Sequence, residues 1–266
     1  KYKTQSLVSI IGLAVGFTCF ALSALWIRYE MTYDNFHEGA ERIYLVRAHY
    51  ANEPGTSKFT PYPLMKYLQD KMPEIEAVTA FTAHHVKFRM EDTEQEIGMI
   101  AADSVFMNFF DIQLLKGTVN FLKCDGQEVA ITKEFAKRLF SKEEDALGKE
   151  VEVGRRVCKI GAIVSGWSNH SNIPYNILAP ARHSPRWGSS NEQLFIRVRE
   201  RTDIDAFRTK MSTVCINDIE KESELSDLLI TRMSALRYSD YVDKADVVIS
   251  FSYICLLYTS DAADDK

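Results

Sequence analysis

The distribution of apolar residues divides the chain into one unbroken run and a longer segment in which apolar and polar positions alternate. The run, residues 7–27, has no charged residue and contains sixteen apolar side chains. As an α-helix rising about 1.5 Å per residue, it would be about 31 Å long, which matches the roughly 30 Å hydrocarbon core of a bilayer. Residues 1–28 are therefore predicted to form a transmembrane helix. A cleaved signal peptide is the alternative, although its apolar region is usually shorter.

Two glycines in this run are spaced four residues apart. Gly12 and Gly16 form a GxxxG pair, which leaves a helix face without side chains where another helix can pack closely. Glycine is also simply common in membrane helices. Lys1 and Lys3 precede the run and Arg28 follows it, so the positive-inside rule favours a cytoplasmic N-terminus.

Beyond the run, apolar positions recur with a period of two, typical of strands, or near 3.6, typical of helices. The predicted strands cover residues 44–50, 77–82, 86–90, 97–101, 128–131, 151–153, 158–164 and 194–198. Strands 151–153 and 158–164 are predicted to form a hairpin, and residues 166–176, rich in Ser and Asn, are predicted to be a loop. Four helices are predicted. The first covers residues 61–72, and the second has Val105, Phe106, Phe109 and Phe110 on one face. The third begins with Thr132 as its cap, and the fourth begins with a capping box of Thr202 and Asp205. Because strands and helices do not alternate regularly, we expect an α+β domain over residues 29–235.

Composition and charge narrow the possible partners. The 266 residues include 32 basic and 37 acidic side chains, for a net charge of −5, and they form no basic stripe. We therefore expect no nucleic-acid partner. The five cysteines are scattered without a CxxC motif, which predicts neither a zinc site nor a disulfide framework. A pair among Cys124, Cys158 and Cys215 stays open, with buried thiols favoured.

Motifs that carry chemistry are missing from the sequence. It contains no GxxxxGK[ST], GxSxG, HExxH or GxGxxG pattern. His84 and His85 are adjacent, so on a strand they would point to opposite faces, which favours a solvated pair over a metal site. Asp34 and His37 are three residues apart and could pair on a helical turn, as local packing rather than proton chemistry. No catalytic, cofactor-binding or metal-binding residue is predicted.

The last residues, 255–266, read CLLYTSDAADDK. This stretch looks like the frame-shifted translation of a sequencing adapter, and we treat it as an artefact outside the fold. We accordingly expect the coding sequence to be interrupted near residue 254.

Two blocks of sequence carry a family resemblance. The first combines the glycine-bearing run with an exit motif of Tyr33, Asp34, Phe36 and His37, followed by Arg42-Ile43-Tyr44. The second, residues 102–164, contains FFDIQLLKG, EVAITKEFAKRLF, ALGKEV and KIGAIV. Together they resemble bacterial ABC transporter permeases with a MacB-like periplasmic core domain, particularly the Bacteroidetes type. The chain departs from the usual pattern at Phe140-Ser141 and at Gly166-Trp167.

The resemblance implies a non-catalytic permease subunit in the bacterial inner membrane. Its main domain would be periplasmic, and residues 236–254 would lead toward further C-terminal, FtsX-like spans. A partner ABC ATPase would bind ATP and Mg²⁺ and hydrolyse the nucleotide, so this chain itself would need no cofactor. The permease would couple that hydrolysis to export or efflux, as a homodimer or as a heterodimer with another permease copy.

Two other hypotheses fit an anchored α+β domain. A membrane-anchored sensor or adaptor would bind a ligand outside the cytoplasm and report it through the single span. A tethered hydrolase is disfavoured, because no nucleophile and base are placed together in the sequence.

Overall fold

The computed structural model of the protein describes residues 2–51, 54–91, 93–123, 127–167, 170–214 and 225–238. These residues form two compact units. One contains the described residues up to Tyr33 together with Arg237 and Tyr238, and the other extends from Asp34 to Leu236. Residues 239–254 and 255–266, for which we predicted a lead into further spans and an artefact, lie outside the described residues. The predicted domain boundaries after residues 28 and 235 stay predictions.

The first unit is dominated by one long helix, α1 (Tyr2–Glu30). Its large apolar side chains are exposed all along its length, and the hydroxyl of Thr18 donates to the carbonyl oxygen of Ala14 at 2.8 Å. Within the described residues, α1 is the one helix that is long and apolar enough to cross a membrane. The predicted N-terminal apolar helix is therefore confirmed.

The second unit, here called the domain, is a twelve-stranded mixed sheet with helices packed against it. Its strands are β1 (Ile43–Tyr50), β2 (Thr56–Ser57), β3 (Thr60–Pro61), β4 (Ile75–Met90), β5 (Thr93–Ala102), β6 (Leu114–Gly117), β7 (Glu128–Thr132), β8 (Glu150–Val153), β9 (Arg156–Val164), β10 (Ile177–Pro180), β11 (Ser190–Val198) and β12 (Leu225–Arg232). Its helices are α2 (Pro63–Lys71), α3 (Ser104–Phe109), α4 (Lys133–Leu139) and α5 (Ile204–Ser212), and short 3-10 helices cover Ala40–Arg42, Val119–Leu122, Glu143–Ala146 and Met233–Tyr238. The predicted α+β class is confirmed.

The strand order is β12-β1-β11-β4-β5-β10-β7-β9-β6. The β5–β10 and β7–β9 pairs are parallel, and the other pairs along this path are antiparallel. Three strands lie off the path: β2 pairs with β1, β3 with β11, and β8 with both β4 and β9. Apart from β4 and β5, neighbours along this path are not consecutive in the chain, and the two parallel pairs require crossover connections.

Strand β4 joins two lobes of the domain. Its residues 75–81 pair with β11, and its residues 82–90 pair with β5. One buried cluster lies in the first lobe, between β1, β11, α2 and α5, and another lies in the second lobe around α4, β7 and β9. A third cluster, which includes Phe81, Phe106 and Phe195, contains residues from both lobes. The chain crosses from the first lobe to the second through β4 and returns through residues 181–189.

Several sequence predictions are confirmed in detail. Strand β1, the β8–β9 hairpin and the loop over the described part of residues 166–176 all form where predicted. Thr132 caps α4, because its hydroxyl oxygen accepts a hydrogen bond from the Phe135 amide at 3.3 Å. His84 and His85 are both exposed, as expected for a solvated pair.

Other predictions are wrong. Residues 77–82 and 86–90 belong to one strand, because His84 and His85 interrupt the apolar pattern while their backbones stay paired with β5. Val105 is exposed instead of sharing the buried face of Phe106 and Phe109. Asp203, and not Thr202, caps α5.

Further elements differ from the prediction. Helix α2 is shorter than residues 61–72, since Pro61 lies in β3. Strand β12 was not predicted at all.

Candidate functional site

The predicted helix-packing residues lie on an open face of α1. A Cβ atom added at Gly12 or at Gly16 would meet no described atom within 4 Å. Both positions therefore have room for the close approach of another helix. Their role in packing stays a prediction.

The exit motif falls on both sides of the boundary between the two units. Tyr33 belongs to the unit of α1, where its ring makes an edge contact with Tyr29 at 5.8 Å. Asp34, Phe36 and His37 belong to the domain. Asp34 and His37 are buried there, whereas Phe36 is exposed.

Asp34 is fastened to a distant loop of the domain. Its carboxylate accepts hydrogen bonds from the Ser171 hydroxyl at 2.5 Å, the Asn172 amide nitrogen at 3.1 Å and the Asn172 side-chain nitrogen at 2.6 Å. Its own amide donates to the carbonyl oxygen of His170 at 3.2 Å. We call the set of Asp34, Ser171 and Asn172 the clasp. Asp34 has a φ of 58°, a left-handed conformation that Asp tolerates better than most residues.

Burial governs the electrostatics of the clasp. Removal from water raises the pKa of the Asp34 carboxyl, and the hydrogen bonds from Ser171 and Asn172 act in the opposite direction. A carboxylate buried in this way requires donors, because burial of a charged group without partners is costly. The clasp supplies three such donors, so it holds the chain at this point by specific bonds.

His37 occupies an aromatic pocket beside the clasp. Its ring lies 4.2 Å from that of Phe36, 5.0 Å from Phe110 and 4.9 Å from Trp167, measured between centroids. Burial, followed by the charge of Arg197, lowers the pKa of His37 to about 4, so the ring is neutral at pH 7. Its Nε2 atom has no hydrogen-bond partner among the described residues.

The suggested pair between Asp34 and His37 does not form among the described residues. Asp34 turns toward residues 170–172, and His37 turns toward aromatic rings. The interpretation as local packing holds for His37, but the partners of Asp34 are 137 and 138 residues away in the chain.

The loop that receives Asp34 continues into the central sheet. The Trp167 indole donates to the Ile173 carbonyl oxygen at 3.0 Å, and the Asn176 amide donates to Gly98 of β5 at 2.8 Å. The Asn176 carbonyl oxygen in turn accepts from Thr132, the cap of α4, at 2.9 Å. At Gly98 an added Cβ would lie 2.3 Å from the Pro174 carbonyl oxygen, so this close approach requires glycine. The clasp is therefore connected to β5 and to the start of α4.

Asp34 and His37 make their contacts with residues of their own domain. Among the described residues, no group of three or more His, Cys, Asp or Glu side chains could hold a metal ion. The buried His37 faces rings, and Asp34 is engaged by donors of its own domain.

Sequence reasoning found one half of the clasp and missed the other. The exit motif pointed to Asp34, but Ser171 and Asn172 lie in a Ser- and Asn-rich loop that was predicted only as a connection. Their side chains match a carboxylate as donors, yet no periodicity or spacing links them to Asp34. A contact across 137 residues has no local sequence signal.

Comparisons with known proteins identify relatives of this fold. A family model described as the MacB-like periplasmic core domain matches residues 6–214. No curated protein sequence matches the chain significantly.

Three solved structures share the fold at low sequence identity. A domain named as part of a permease protein from Porphyromonas gingivalis is 19% identical, with a TM-score of 0.59, over 74% of this chain and 92% of that one. The extracellular domain of YknZ, an ABC-type transporter from Gram-positive bacteria, is 14% identical, with a TM-score of 0.52, over 71% and 99%. The periplasmic region of MacB from Actinobacillus actinomycetemcomitans is 13% identical, with a TM-score of 0.52, over 75% and 92%.

The family model covers most of the chain and includes both the exit motif and the loop that receives Asp34. The solved structures agree with it in fold. The chain belongs to the family of proteins with a MacB-like periplasmic core domain.

Proposed function

We propose that this chain couples ATP hydrolysis by a partner ATPase to conformational change of its own extracytoplasmic domain during export. In this proposal α1 crosses the inner membrane with its N-terminus in the cytoplasm, and the domain lies on the other side. ATP and Mg²⁺ are bound by the ATPase, and this chain performs no catalysis and carries no cofactor. The observation that supports coupling most directly is the clasp.

The clasp makes the connection to the membrane helix short. Helix α1 ends at Glu30, and Asp34 is held four residues later. Even fully extended, four residues span only about 14 Å. A larger displacement of the end of α1 must therefore pull on Asp34, and through Ser171 and Asn172 on the loop that is bonded to β5. A long, loose linker would absorb such a movement instead.

We further propose that the permease works as a homodimer or as a heterodimer with another permease copy. Gly12 and Gly16 leave a face of α1 where a partner helix can approach. Two permease subunits would place two membrane helices beside each other, and the glycine face is suited to such a contact.

The first experiment identifies the partner. The full chain is purified from its native membrane, and the co-purifying proteins are identified by mass spectrometry. A nucleotide-binding subunit with a GxxxxGK[ST] motif supports the proposal. A signalling kinase or cyclase instead of an ATPase would overturn it in favour of the anchored sensor.

The second experiment tests coupling through the clasp. A spin label is introduced by an unnatural amino acid at the exposed position 87, and distances between two copies in the complex are measured with and without a non-hydrolysable ATP analogue. We expect the analogue to shift the distances in the unmutated complex but not in Asp34→Ala. Glu38→Ala, at an exposed position near the clasp, is the matched control and should keep the shift. An unchanged shift in Asp34→Ala would contradict coupling through this residue.

A further inference from the structure

Part of the sheet face in the second lobe is left open by the helices of the described residues. On this face Thr82 of β4 lies beside Ala101 of β5, and Ala101 lies beside Ala179 of β10. The register between β10 and β7 continues the row to Val129. Four strands at about 4.8 Å spacing give the row a width of about 14 Å. Because three of its four side chains are small, the row forms the floor of a trough.

The trough belongs to the same face that α4 covers elsewhere. Phe135 of α4 is buried in one cluster with Ile131 and Ile177, the neighbours of the row on β7 and β10. Over the row itself, Ala101 and Ala179 stay partly exposed. The result is an open cleft of about 630 Å³, a volume typical of sites for small molecules.

The walls of the cleft are rich in positive charge. Arg155 lies on the turn of the β8–β9 hairpin, Arg156 is the first residue of β9, and Arg182 lies on the segment that returns to the first lobe. Neither Arg155 nor Arg156 forms an ion pair with a described residue. One carboxylate, Glu192, also lines the cleft, but it is buried and lies 3.2 Å from the Nδ1 atom of His183. The rim therefore offers guanidinium groups above an apolar floor.

Guanidinium groups bind carboxylates and phosphates through charge-assisted and often paired hydrogen bonds. An apolar trough favours a hydrocarbon or aromatic body, since covering it removes apolar surface from water. We propose that this cleft binds an anionic amphiphile, a molecule with an apolar body and a single carboxylate or phosphate group. The apolar body lies over Ala101 and Ala179, and the anionic group meets the arginines.

The residues that line the cleft all belong to the domain, so binding there can be measured without the partner ATPase. Its volume of about 630 Å³ lies in the range of concave sites for small molecules, which favours a small amphiphile over a folded protein as the occupant. A free fatty acid and a phospholipid share the proposed chemistry, and the choice of probe separates them.

The test uses the full chain in nanodiscs of phosphatidylcholine and photoreactive probes. Three probes carry a diazirine on the same decyl body and end in a carboxylate, a phosphate or an uncharged alcohol. After irradiation, labelled peptides are identified by mass spectrometry, which separates labelling in the cleft from labelling of α1. We expect the anionic probes to label peptides with Ala101 or Ala179 about tenfold more than the alcohol does. Stronger labelling by the phosphate indicates a phospholipid headgroup, and stronger labelling by the carboxylate indicates a fatty acid.

Substitution of the arginines sharpens the test. The triple variant Arg155→Gln, Arg156→Gln and Arg182→Gln should lose about nine-tenths of the anionic labelling, since all three side chains are exposed and their loss leaves the fold intact. The control triple Lys66→Gln, Arg138→Gln and Arg208→Gln removes the same charge from exposed positions outside the cleft and should label normally.

Blocking the floor gives a second, uncharged variant. Ala101→Phe fills the trough and should reduce labelling by all probes, with its fold verified by circular dichroism. Equal labelling by the alcohol and the anionic probes, or unchanged labelling of the arginine triple variant, would overturn the proposal. Either result would leave the proposed coupling function untouched if the ATPase still co-purifies.

Discussion

Large apolar side chains are placed in opposite ways in the two units of this molecule. In α1, Leu13, Phe17 and Phe20 are 76%, 70% and 71% exposed, whereas Phe81 and Phe195 of the domain are completely buried. The residue types are the same, so the difference lies in what surrounds them. The domain covers its apolar surface with its own chain, whereas the described residues leave α1 uncovered, and such a surface favours an apolar solvent or another helix. A uniform apolar run and a periodic apolar pattern thus indicate two different environments.

The largest expected effect compares one phenylalanine from each unit. Phe81 contacts the rings of Phe106 and Phe195, at 4.9 and 5.4 Å between centroids. Phe81→Ala should lower the free energy of unfolding of the domain by about 3–5 kcal/mol, because it leaves a cavity in the cluster shared by both lobes. Phe17→Ala should leave that free energy unchanged. Urea unfolding of the full chain in detergent micelles, followed by the fluorescence of the domain's tryptophans, measures both. Equal losses in the two variants would contradict the comparison.

The next effect concerns the clasp. Asp34→Ala leaves the donors of Ser171 and Asn172 without their acceptor, and should cost the domain about 2 kcal/mol. Glu38→Ala, nearby and exposed, should change the stability by no more than about 0.5 kcal/mol. The same unfolding measurement distinguishes them. If Asp34→Ala were as stable as Glu38→Ala, the clasp would not hold the chain.

These two sites differ in how far sequence could predict them. The burial of Phe106 and Phe109 follows from their helical spacing, and α1 follows from the length of its apolar run. The clasp does not, because Ser171 and Asn172 become partners of Asp34 only once the sheet has brought the loop to it. The continuous β4 was missed for a related reason. The alternation of apolar and polar residues in β4 is interrupted at His84. The strand also changes its pairing partner from β11 to β5, and both partners are set by contacts outside the local sequence.

Strand β12 is a second element that could not be predicted from the local sequence pattern. Its pairing with β1 shifts register between His49 and Tyr50, so Leu225 and Leu228 do not share one simple period. Both are nevertheless buried in the first lobe. Local pattern predicts an element well when one face is buried in constant register, and poorly when a bulge changes the face.

The next prediction concerns how the free energy of unfolding depends on pH, with an effect of similar size. It involves the domain and not the apolar run, because residues 7–27 contain no acidic, basic or histidine side chain. The pKa of His37 is lowered from 6.5 to about 4, so between these values the unfolded chain binds a proton that the folded domain excludes. Stability is therefore fully present above pH 6.5 and falls as the pH falls toward 4. Between pH 7 and pH 5 the loss from His37 should be about 2 kcal/mol.

The variant His37→Phe isolates this contribution. It keeps an aromatic ring in the pocket and removes the titrating group. The loss of stability between pH 7 and pH 5 should therefore be about 2 kcal/mol smaller in the variant than in the unmutated protein. The raised pKa of Asp34 has the opposite effect on stability. The folded domain retains the Asp34 proton above the pH at which the unfolded chain loses it, so this contribution to stability falls as the pH rises. Asp34 is present in both proteins, so its effect cancels in the comparison. Identical pH profiles would show that His37 titrates normally.

A smaller effect is expected in α1, and it concerns assembly instead of folding. Gly12→Leu with Gly16→Leu should weaken association of the permease complex in the membrane about tenfold, because the side chains block close helix approach. Ala14→Leu with Thr18→Leu changes another pair of small residues on a different face of the helix and is the matched control. The yield of complex in a membrane pull-down measures both. Equal yields would remove the special role of the glycines.

The smallest expected effect concerns the N-terminal cap of a short helix of the domain. A short helix depends on such a cap for stability more than a helix as long as α1 does. The Asp203 carboxylate accepts hydrogen bonds from the amides of Asp205 and Ala206, both at 3.1 Å, whereas the Thr202 hydroxyl donates to the Arg199 carbonyl oxygen at 2.9 Å. Asp203→Ala should therefore cost about 1 kcal/mol and Thr202→Ala only a few tenths. Urea unfolding at pH 7 compares them. A larger loss in Thr202→Ala would restore the cap predicted from sequence and show that the carboxylate adds little at this exposed helix start.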